Sequence, residues 1–333
     1  MLQLLLGGSG SGKTTLLYQR IRARAEKGEK SILLVPEQFT SSTEGRIYRE
    51  LGDALSGMVE SFSFTSLAEK ILSTEGGAAV QTLSDAGRAV LVRRALEELQ
   101  DNVHYYHRHR RSAAFCQMAA QTIDELKSAG LSGQQLAQLA GACGAESGKL
   151  SELALIFQGY ETLLARSGMD PSDRLELAGA RLEEALARHS LPEFLRDRAV
   201  FIDEFDTFNA PKKRLLGAML AALPSVTVAL CDDGAPLLPG DLSLFSGAKH
   251  VAAQLRQLAR KNGAEVAVPQ LLRKDLRHRN APGLAAVAEL LETGSCTADA
   301  PAGEVRLFAA PSREEEARAA AGAIRRLMRQ GVR

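Results

Sequence analysis

The sequence predicts an α/β protein in which a parallel sheet domain carries a large, all-helical insertion. Over residues 1–75, short apolar runs alternate with helical patterns. Over residues 76–195 the strand signals stop, and the alternation returns over residues 196–292. Short apolar strands that are separated by helices are typical of βαβ units, whose strands run parallel. We therefore expect residues 1–75 and 196–292 to form one domain and residues 76–195 an inserted helical subdomain.

The first part of the chain contains three predicted strands and two predicted helices. Predominantly apolar runs predict strands at residues 2–6, 31–35 and 58–62. Helical patterns follow the first and third of them, at residues 13–27 and 65–72. A glycine-rich turn joins the first strand to the first helix.

The inserted segment shows helical spacing of its apolar residues. They recur every three or four positions, which places them on one face of a helix. Gly130 and Gly168 follow the two clearest patterns, as expected where helices end. The two faces consist of Phe115, Met118, Ala119, Thr122, Ile123 and Leu126, and of Leu153, Ile156, Phe157, Tyr160, Leu163 and Leu164.

The last part of the chain repeats the alternation of strands and helices. Strands are predicted at residues 199–202 and 225–231, with a short further one at residues 266–268. Helices are predicted at residues 211–223 and 282–291. These elements complete the sheet domain that the first 75 residues begin.

A small, polar segment with proline and glycine, residues 293–303, is the predicted linker. After it, residues 305–309 predict a strand and residues 313–328 a helix. We expect residues 293–333 to be a linker and the start of a truncated second lobe. The chain would then be a piece of a longer protein.

The charge balance argues against a uniformly basic surface. The 333 residues include 41 Lys and Arg and 40 Asp and Glu, a net charge of +1 with neutral histidines. A local basic groove is compatible with this balance, but a basic coat is not. No run approaches the roughly 20 apolar residues that span a bilayer, and the opening apolar run is too short for a signal peptide. We expect no membrane contact and a cytoplasmic location.

The glycine-rich turn predicts a phosphate site. Residues 7–14 match the pattern G-x-x-x-x-G-K-[ST] in full, between a strand and a helix. Glycines let backbone N–H groups turn towards phosphate oxygens, and the helix N-terminus adds positive charge. Lys13 would reach the β- and γ-phosphates of ATP and the Thr14 hydroxyl would bind Mg²⁺; the alternative is a turn without a ligand. The predicted ATP-binding residues are Gly7, Gly8, Ser9, Gly10, Ser11, Gly12, Lys13, Thr14 and Thr15.

An acidic pair predicts the second half of this site. The apolar strand at residues 199–202 runs directly into Asp203 and Glu204. On a strand that neighbours the first one, Asp203 would hold Mg²⁺ through water, and Glu204 would orient and deprotonate the attacking water. The alternative is a strand that merely ends in polar residues. The long separation of Lys13 from Asp203 leaves room for the helical insertion and is a feature of helicase-type cores.

Four motifs occur in the order seen in superfamily 1 helicases of the UvrD type. They are the loop at residues 7–14, VPEQFT at residues 35–40, SFSFTSLA at residues 61–68 and DEF at residues 203–205. The run LVPEQ at residues 34–38, with TIDELK at residues 122–127, more closely resembles AddB, the B subunit of the bacterial AddAB helicase–nuclease. The resemblance implies a RecA-like P-loop ATP-binding domain with a helical insertion.

The resemblance also implies further site residues. In these helicases an arginine after the third motif contacts the γ-phosphate, and Arg279 resembles it; a plain surface arginine is the alternative. Gln38 and Thr40, like Ser63 and Thr65, resemble residues that contact the DNA backbone. Side chains of this size hydrogen-bond phosphates without reading sequence, and helix caps or turn residues are the alternative.

The family implies a role in processing double-strand breaks for recombinational repair. The chain would bind Mg·ATP and DNA as the N-terminal region of an AddB-type helicase/exodeoxyribonuclease, next to an AddA-type motor–nuclease partner. By itself we expect at most a weak ATPase and not a nuclease, because the second lobe, nuclease motif and cysteine cluster of such proteins do not occur in it. Two alternatives stay open: a DNA-scanning scaffold that never hydrolyses its nucleotide, and an unrelated P-loop ATPase with a helical insertion.

One basic and aromatic segment falls outside these motifs. Residues 104–111 read HYYHRHRR and contain no acidic residue. Such a segment could follow a phosphate backbone and stack bases. A solvated loop between two helices is the alternative.

Overall fold

The computed structural model describes residues 1–77, 81–144, 147–295 and 305–332. They divide into two compact units, Met1–Lys274 and Asp275–Arg333. Residues 275–292, which the sequence assigns to the sheet domain, thus lie in the second unit. None of the described helices has the length and apolar character needed to cross a bilayer.

The first unit is built on a sheet of six strands, and every pairing of neighbours is parallel. The predicted α/β class with a parallel sheet is therefore confirmed. The first five strands lie where the sequence predicts them, to within one residue at either end. In the order β3-β2-β4-β5-β1-β6, the strands are β1 (Leu2–Gly7), β2 (Ser31–Leu34), β3 (Val59–Phe62), β4 (Ala199–Ile202), β5 (Ser225–Cys231) and β6 (Gln270–Leu272).

Helices surround the sheet and form most of the chain between β3 and β4. The helices predicted after β1, β3 and β4, and the two in the second unit, are confirmed. The helices of the described residues are α1 (Lys13–Ala25), α2 (Thr40–Leu51), α3 (Asp53–Ser56), α4 (Phe64–Glu75), α5 (Asp85–Glu98), α6 (Ala113–Ser128), α7 (Gly133–Ala140), α8 (Ser147–Ser167), α9 (Pro171–Ala187), α10 (Ala210–Ala222), α11 (Ser246–Lys261), α12 (Pro282–Thr293) and α13 (Arg313–Arg329).

Two predicted strands are wrong. Val266 makes only a single bridge, to Leu2, and the sixth strand begins four residues later at Gln270. Residues 305–309 form no strand, and the side chains of Leu307 and Phe308 within it are 100% and 65% exposed. An apolar run becomes a strand only where a neighbouring strand pairs with it. The predicted linker at residues 293–303 lies mostly outside the described residues.

The sheet is buried on both faces, which explains why its strands read as continuous apolar runs. Successive strand residues point to opposite faces. Leu4 and Val200 belong to one buried cluster with α4, α9, α10 and α11, whereas Leu5 and Phe201 belong to another with α1 and α2. Polar side chains that act on a ligand are therefore confined to the ends of the strands.

A third hydrophobic cluster lies outside the sheet. It is formed by α5, α6, α7 and α8, with Phe157 and Tyr160 among its largest buried side chains. Leu175 and Leu182 of α9 instead pack into the cluster against the sheet. The described residues between β3 and β4 add no strand to the sheet. The bounds of an inserted subdomain stay a prediction.

The TIDELK run joins α6 to the start of α9. The Lys127 ammonium lies 2.8 Å from an Asp170 carboxylate oxygen and 2.8 Å from one of Asp173. The Tyr160 hydroxyl donates to the other Asp170 oxygen at 2.6 Å. The Asp170 side chain is only 1% exposed, so these partners offset the cost of burying its charge.

Replacing Asp170 should strongly destabilise these helices. Asp170→Ala leaves the Lys127 ammonium with only Asp173 in a largely buried site, so we expect a loss of about 3 kcal/mol in the free energy of unfolding. Urea denaturation followed by circular dichroism measures it. Glu97→Ala, which breaks the exposed pair with Arg93, is the control and should cost about 0.5 kcal/mol or less. Equal losses in the two variants would contradict this account of the buried pair.

Candidate phosphate-binding site

The glycine-rich loop connects the end of β1 to the start of α1. Gly10 and Gly12 have φ angles of 79° and 90°, a region that residues with a side chain rarely adopt. Gly12 is the N-cap of α1, and as a glycine it has no side chain that could accept a cap hydrogen bond. The first N–H groups of α1 are therefore left for another acceptor. Ser9 and Thr15 are exposed.

The wall of the loop admits no side chain at Gly7. A Cβ there would lie 2.4 Å from the Ser11 hydroxyl oxygen and 2.6 Å from the Leu272 carbonyl oxygen. The Ser11 hydroxyl is buried and hydrogen-bonds none of the described residues. A buried hydroxyl without a partner costs free energy, and a bound phosphate oxygen would relieve that cost. A phosphate oxygen bound in the loop would accept from this hydroxyl, as the predicted phosphate site requires.

The Lys13 side chain lies over this loop. Its ammonium nitrogen is 2.8 Å from the carbonyl oxygens of both Gly7 and Gly8. It is 3.4 Å from the thiol sulfur of Cys231, at the end of β5. Within the described parts of the chain, no carboxylate forms an ion pair with it. Its positive charge can therefore be directed at a phosphate.

The structure brings Thr14 and Asp203 together. Asp203 directly follows β4, and β5 lies between β4 and β1. The expectation that the two motifs follow directly neighbouring strands is therefore wrong. The Thr14 side chain, in the first turn of α1, nevertheless lies close enough to lower the pKa of the Asp203 carboxyl group, and both residues line one cleft. The glycine-rich loop and the acidic strand end thus form one site.

The environment of Asp203 suits a bound cation. Burial raises the pKa of its carboxyl group, while the Thr14 hydroxyl, the Glu204 N–H and the charges of Lys13 and Arg46 lower it. The net shift is upwards, so burial outweighs these partners. Oxygen ligands such as these are the ones that Mg²⁺ prefers. A cation at Thr14 and Asp203 would offset the cost of burying the ionised carboxylate, and protons would compete with it as the pH falls.

Glu204 has a strained backbone. Its φ angle is 65°, which is uncommon for a residue other than glycine. Its side chain is exposed, next to the buried Asp203. Strain of this kind persists where the surrounding structure enforces it, often at functional sites. The role of Glu204 as a base stays a prediction.

The sequence analysis misses two residues of the site, Tyr18 and Arg46. The Arg46 guanidinium carbon lies 4.9 Å from the centre of the Tyr18 ring. Together with Thr14, Asp203 and Glu204, they line a cleft of about 260 Å³. Burial raises the pKa of Tyr18 to about 12, so its hydroxyl stays neutral. The i,i+4 spacing of Thr14 and Tyr18 on α1 could have indicated Tyr18; Arg46 lies on α2, which the sequence does not predict.

The four predicted DNA contacts follow β2 and β3. Gln38 is exposed in a short 3-10 helix, and Thr65 is exposed in the first turn of α4. The Thr40 hydroxyl donates to a carbonyl three residues earlier at 2.8 Å. Ser63 is the buried N-cap of α4, and its oxygen accepts from the N–H three residues later at 3.1 Å. Ser63 therefore caps α4 and Thr40 makes a local turn hydrogen bond, and the DNA contacts of all four stay predictions.

Arg279 belongs to the second unit. It is exposed in the turn that precedes α12. Its contact with a γ-phosphate stays a prediction.

Comparisons with known proteins point to one family. The family model described as "ADDB, N-terminal" matches residues 4–288. The B subunit of the ATP-dependent helicase/deoxyribonuclease of Desulforudis audaxviator is 34% identical over 99% of this chain and 29% of its own length. The proteins of the same name from Moorella thermoacetica and Geobacillus kaustophilus are 33% and 30% identical, over 99% and 100% of this chain and 29% of their own lengths. The chain thus spans under a third of these relatives.

The close contacts of Gly7 predict a steric penalty for any larger residue. In Gly7→Ala the new Cβ would require the Ser11 side chain and the Leu272 carbonyl to move, at a cost of roughly 1–3 kcal/mol in unfolding free energy. Gly45→Ala is the control, because a Cβ at this exposed position of α2 would meet nothing within 4 Å. It should stabilise the protein by about 0.5–1 kcal/mol. Urea denaturation of both compares them, and an unchanged stability of Gly7→Ala would refute the tight loop.

Proposed function

Because the chain belongs to the AddB N-terminal family, we propose that it is the ATP-binding, helicase-like region of a helicase/deoxyribonuclease. The observation that carries the proposal is the cleft lined by Thr14, Asp203 and Glu204, where the end of the glycine-rich loop lies next to the acidic strand end. Loops of this sequence bind nucleoside triphosphates. The relatives are named as parts of an ATP-dependent helicase/deoxyribonuclease, which agrees with this chemistry.

The residues of the loop would hold the triphosphate. Backbone N–H groups of the loop and the Ser11 hydroxyl, which hydrogen-bonds none of the described residues, would donate to phosphate oxygens. Lys13 would contact the β- and γ-phosphates, and Thr14 and Asp203 would hold Mg²⁺. The Mg·ATP complex would supply the phosphoanhydride bond together with a cation that neutralises charge as the bond breaks.

Two further residues would act on hydrolysis. Glu204 would accept a proton from the attacking water, next to the carboxylate that holds the cation. Arg279 would stabilise charge at the γ-phosphate, as the family resemblance implies. Arg46, which lines the same cleft as Asp203 and Glu204, adds positive charge beside the two carboxylates.

DNA would be bound at the same edge of the sheet. Because β2, β3 and β4 are parallel, the segments that follow them emerge at one edge. Gln38 and Thr40 would contact the DNA backbone after β2, and Ser63 and Thr65 after β3. We propose that the sheet domain is RecA-like, with residues 76–195 inserted into it. The whole protein would process broken DNA ends with an AddA-type partner in the cytoplasm.

Removing the Lys13 ammonium should weaken nucleotide binding. In Lys13→Ala a charge-assisted contact to phosphate is lost, so the Kd for a fluorescent ATP analogue should rise at least about tenfold. Fluorescence titration in the presence of Mg²⁺ measures it. Lys27→Ala removes an exposed lysine just after α1 and should bind as the unchanged protein does. Equal affinity in the unchanged protein and Lys13→Ala would refute the nucleotide site.

Removing the Glu204 carboxylate should slow ATP turnover sharply but leave nucleotide binding unchanged. Glu204→Gln in the full-length protein should lower kcat for ATP hydrolysis with single-stranded DNA by about 10²–10⁴-fold. The neighbouring exposed Asp206 offers a matched control, Asp206→Asn, which should keep its kcat. Absence of turnover in the unchanged full-length protein, with nucleotide still bound, would contradict hydrolysis and favour the DNA-scanning scaffold.

A further inference from the structure

We propose that residues 104–111, the HYYHRHRR segment, bind single-stranded DNA at a second place. Its arginines would contact phosphates, and the Tyr105 ring would stack on a base. The inference deepens the proposed function and rests on it for the choice of DNA as the ligand. It concerns a segment between α5 and α6, outside the phosphate loop and the strand ends.

The arginines of this segment form no ion pair with the described residues. Arg108 and Arg111 are exposed, and no ion pair joins either of them to another described residue. Among the described residues, the Arg110 guanidinium hydrogen-bonds a ring nitrogen of His107, at 3.4 Å. By contrast, Arg93 of α5 is paired with a glutamate one turn later. Arg108 and Arg111 therefore present their charges to the solvent.

A carboxylate on a neighbouring helix accepts from the first three backbone N–H groups of the segment. The Glu152 carboxylate, on α8, accepts hydrogen bonds from the N–H groups of His104, Tyr105 and Tyr106 at 2.9, 2.8 and 3.1 Å. Three consecutive backbone donors thus share one carboxylate, and no ion pair joins it to an arginine of the segment among the described residues. A fixed backbone lowers the entropy cost of binding a ligand.

The aromatic rings form a row that ends at the surface. Phe115 packs against the third hydrophobic cluster, and its ring centre is 5.3 Å from that of Tyr106. Tyr106 lies 5.6 Å from Tyr105, which is 57% exposed. The Lys149 ammonium is 5.3 Å from the Tyr105 ring centre. An exposed ring that packs on other rings and lies next to a cation is an arrangement that binds single-stranded nucleic acid.

A single strand fits this surface better than other polyanions do. Bases in a duplex are stacked on one another, so they are not available to the Tyr105 ring. An acidic peptide would use the arginines but gain nothing from the ring. The two parts of the surface therefore act together only on an unpaired base with its flanking phosphates.

Fluorescence anisotropy with a fluorescein-labelled oligothymidylate, over a series of NaCl concentrations and without nucleotide, tests the proposal. R108Q/R111Q should bind more weakly and flatten the slope of log K against log[salt] by about 1.4, or about 0.7 for each lost phosphate contact. The control R260Q/K261Q removes two exposed charges at the end of α11. It should change neither the affinity nor the salt slope. Y105A should weaken binding roughly 5- to 150-fold without changing the slope, and Y105F should restore it.

A second readout locates the contact. Photocrosslinking with 5-iodouracil in the oligonucleotide should label the peptide that contains Tyr105. The proposal is overturned if the unchanged chain does not bind, if R108Q/R111Q matches its control, or if Y105A matches Y105F. A duplex oligonucleotide provides a further check. If Y105A binds both the duplex and the single strand as tightly as the unchanged chain does, the segment contacts phosphates without stacking a base. That result would also overturn the proposal. The same variants are titrated with the fluorescent ATP analogue. Unchanged nucleotide affinity in a variant that binds DNA normally refutes the second DNA site without refuting the nucleotide site.

Discussion

The burial of the Asp203 carboxylate beside Thr14 is the constraint on which the site depends. Asp203 is buried at the end of an apolar strand, where an isolated ionised carboxylate would be costly. Burial raises its pKa, and Thr14, Lys13 and Arg46 counteract part of that effect. Thr14 and Lys13 belong to α1 and Arg46 belongs to α2. Residues of both helices therefore lie near the carboxylate that follows β4. A ligand bound at the Asp203 carboxylate would therefore also lie near these two helices.

The sheet explains why the site lies at the strand ends. Both faces of the sheet are covered by helices, so side chains within the strands are apolar and packed. Parallel strands end at the same edge, and the loops after them can carry polar groups without burying them unpaired. Gly7 ends β1 and Asp203 follows β4. Because β5 lies between these strands, the first turn of α1 makes the link from one strand end to the other.

The sequence predicts the features that depend on local residue patterns, namely the strands and the motif residues. Apolar runs locate β1 to β5, and the motifs locate Lys13 and Asp203. Prediction fails where packing decides: α2 contains Gly45 and several hydroxyl residues that weaken a helical pattern, yet Ile47 packs it against the sheet. Without α2, the contact of Arg46 with the cleft could not be inferred. Ser63 shows a different limit, because a serine before a helix suits a cap and a phosphate contact equally.

Acidic residues serve opposite purposes in the two parts of the first unit. Among the helices, Asp170 and Glu152 accept hydrogen bonds from a lysine, a tyrosine hydroxyl or backbone N–H groups, so their charges serve the structure. At the sheet edge, Asp203 has only a partial set of partners and keeps a raised pKa. A carboxylate whose charge is fully satisfied has little affinity left for a cation, whereas one that burial destabilises gains from binding it. An acidic residue therefore stabilises the fold where its hydrogen-bond partners are complete, and is available to bind a cation where they are not.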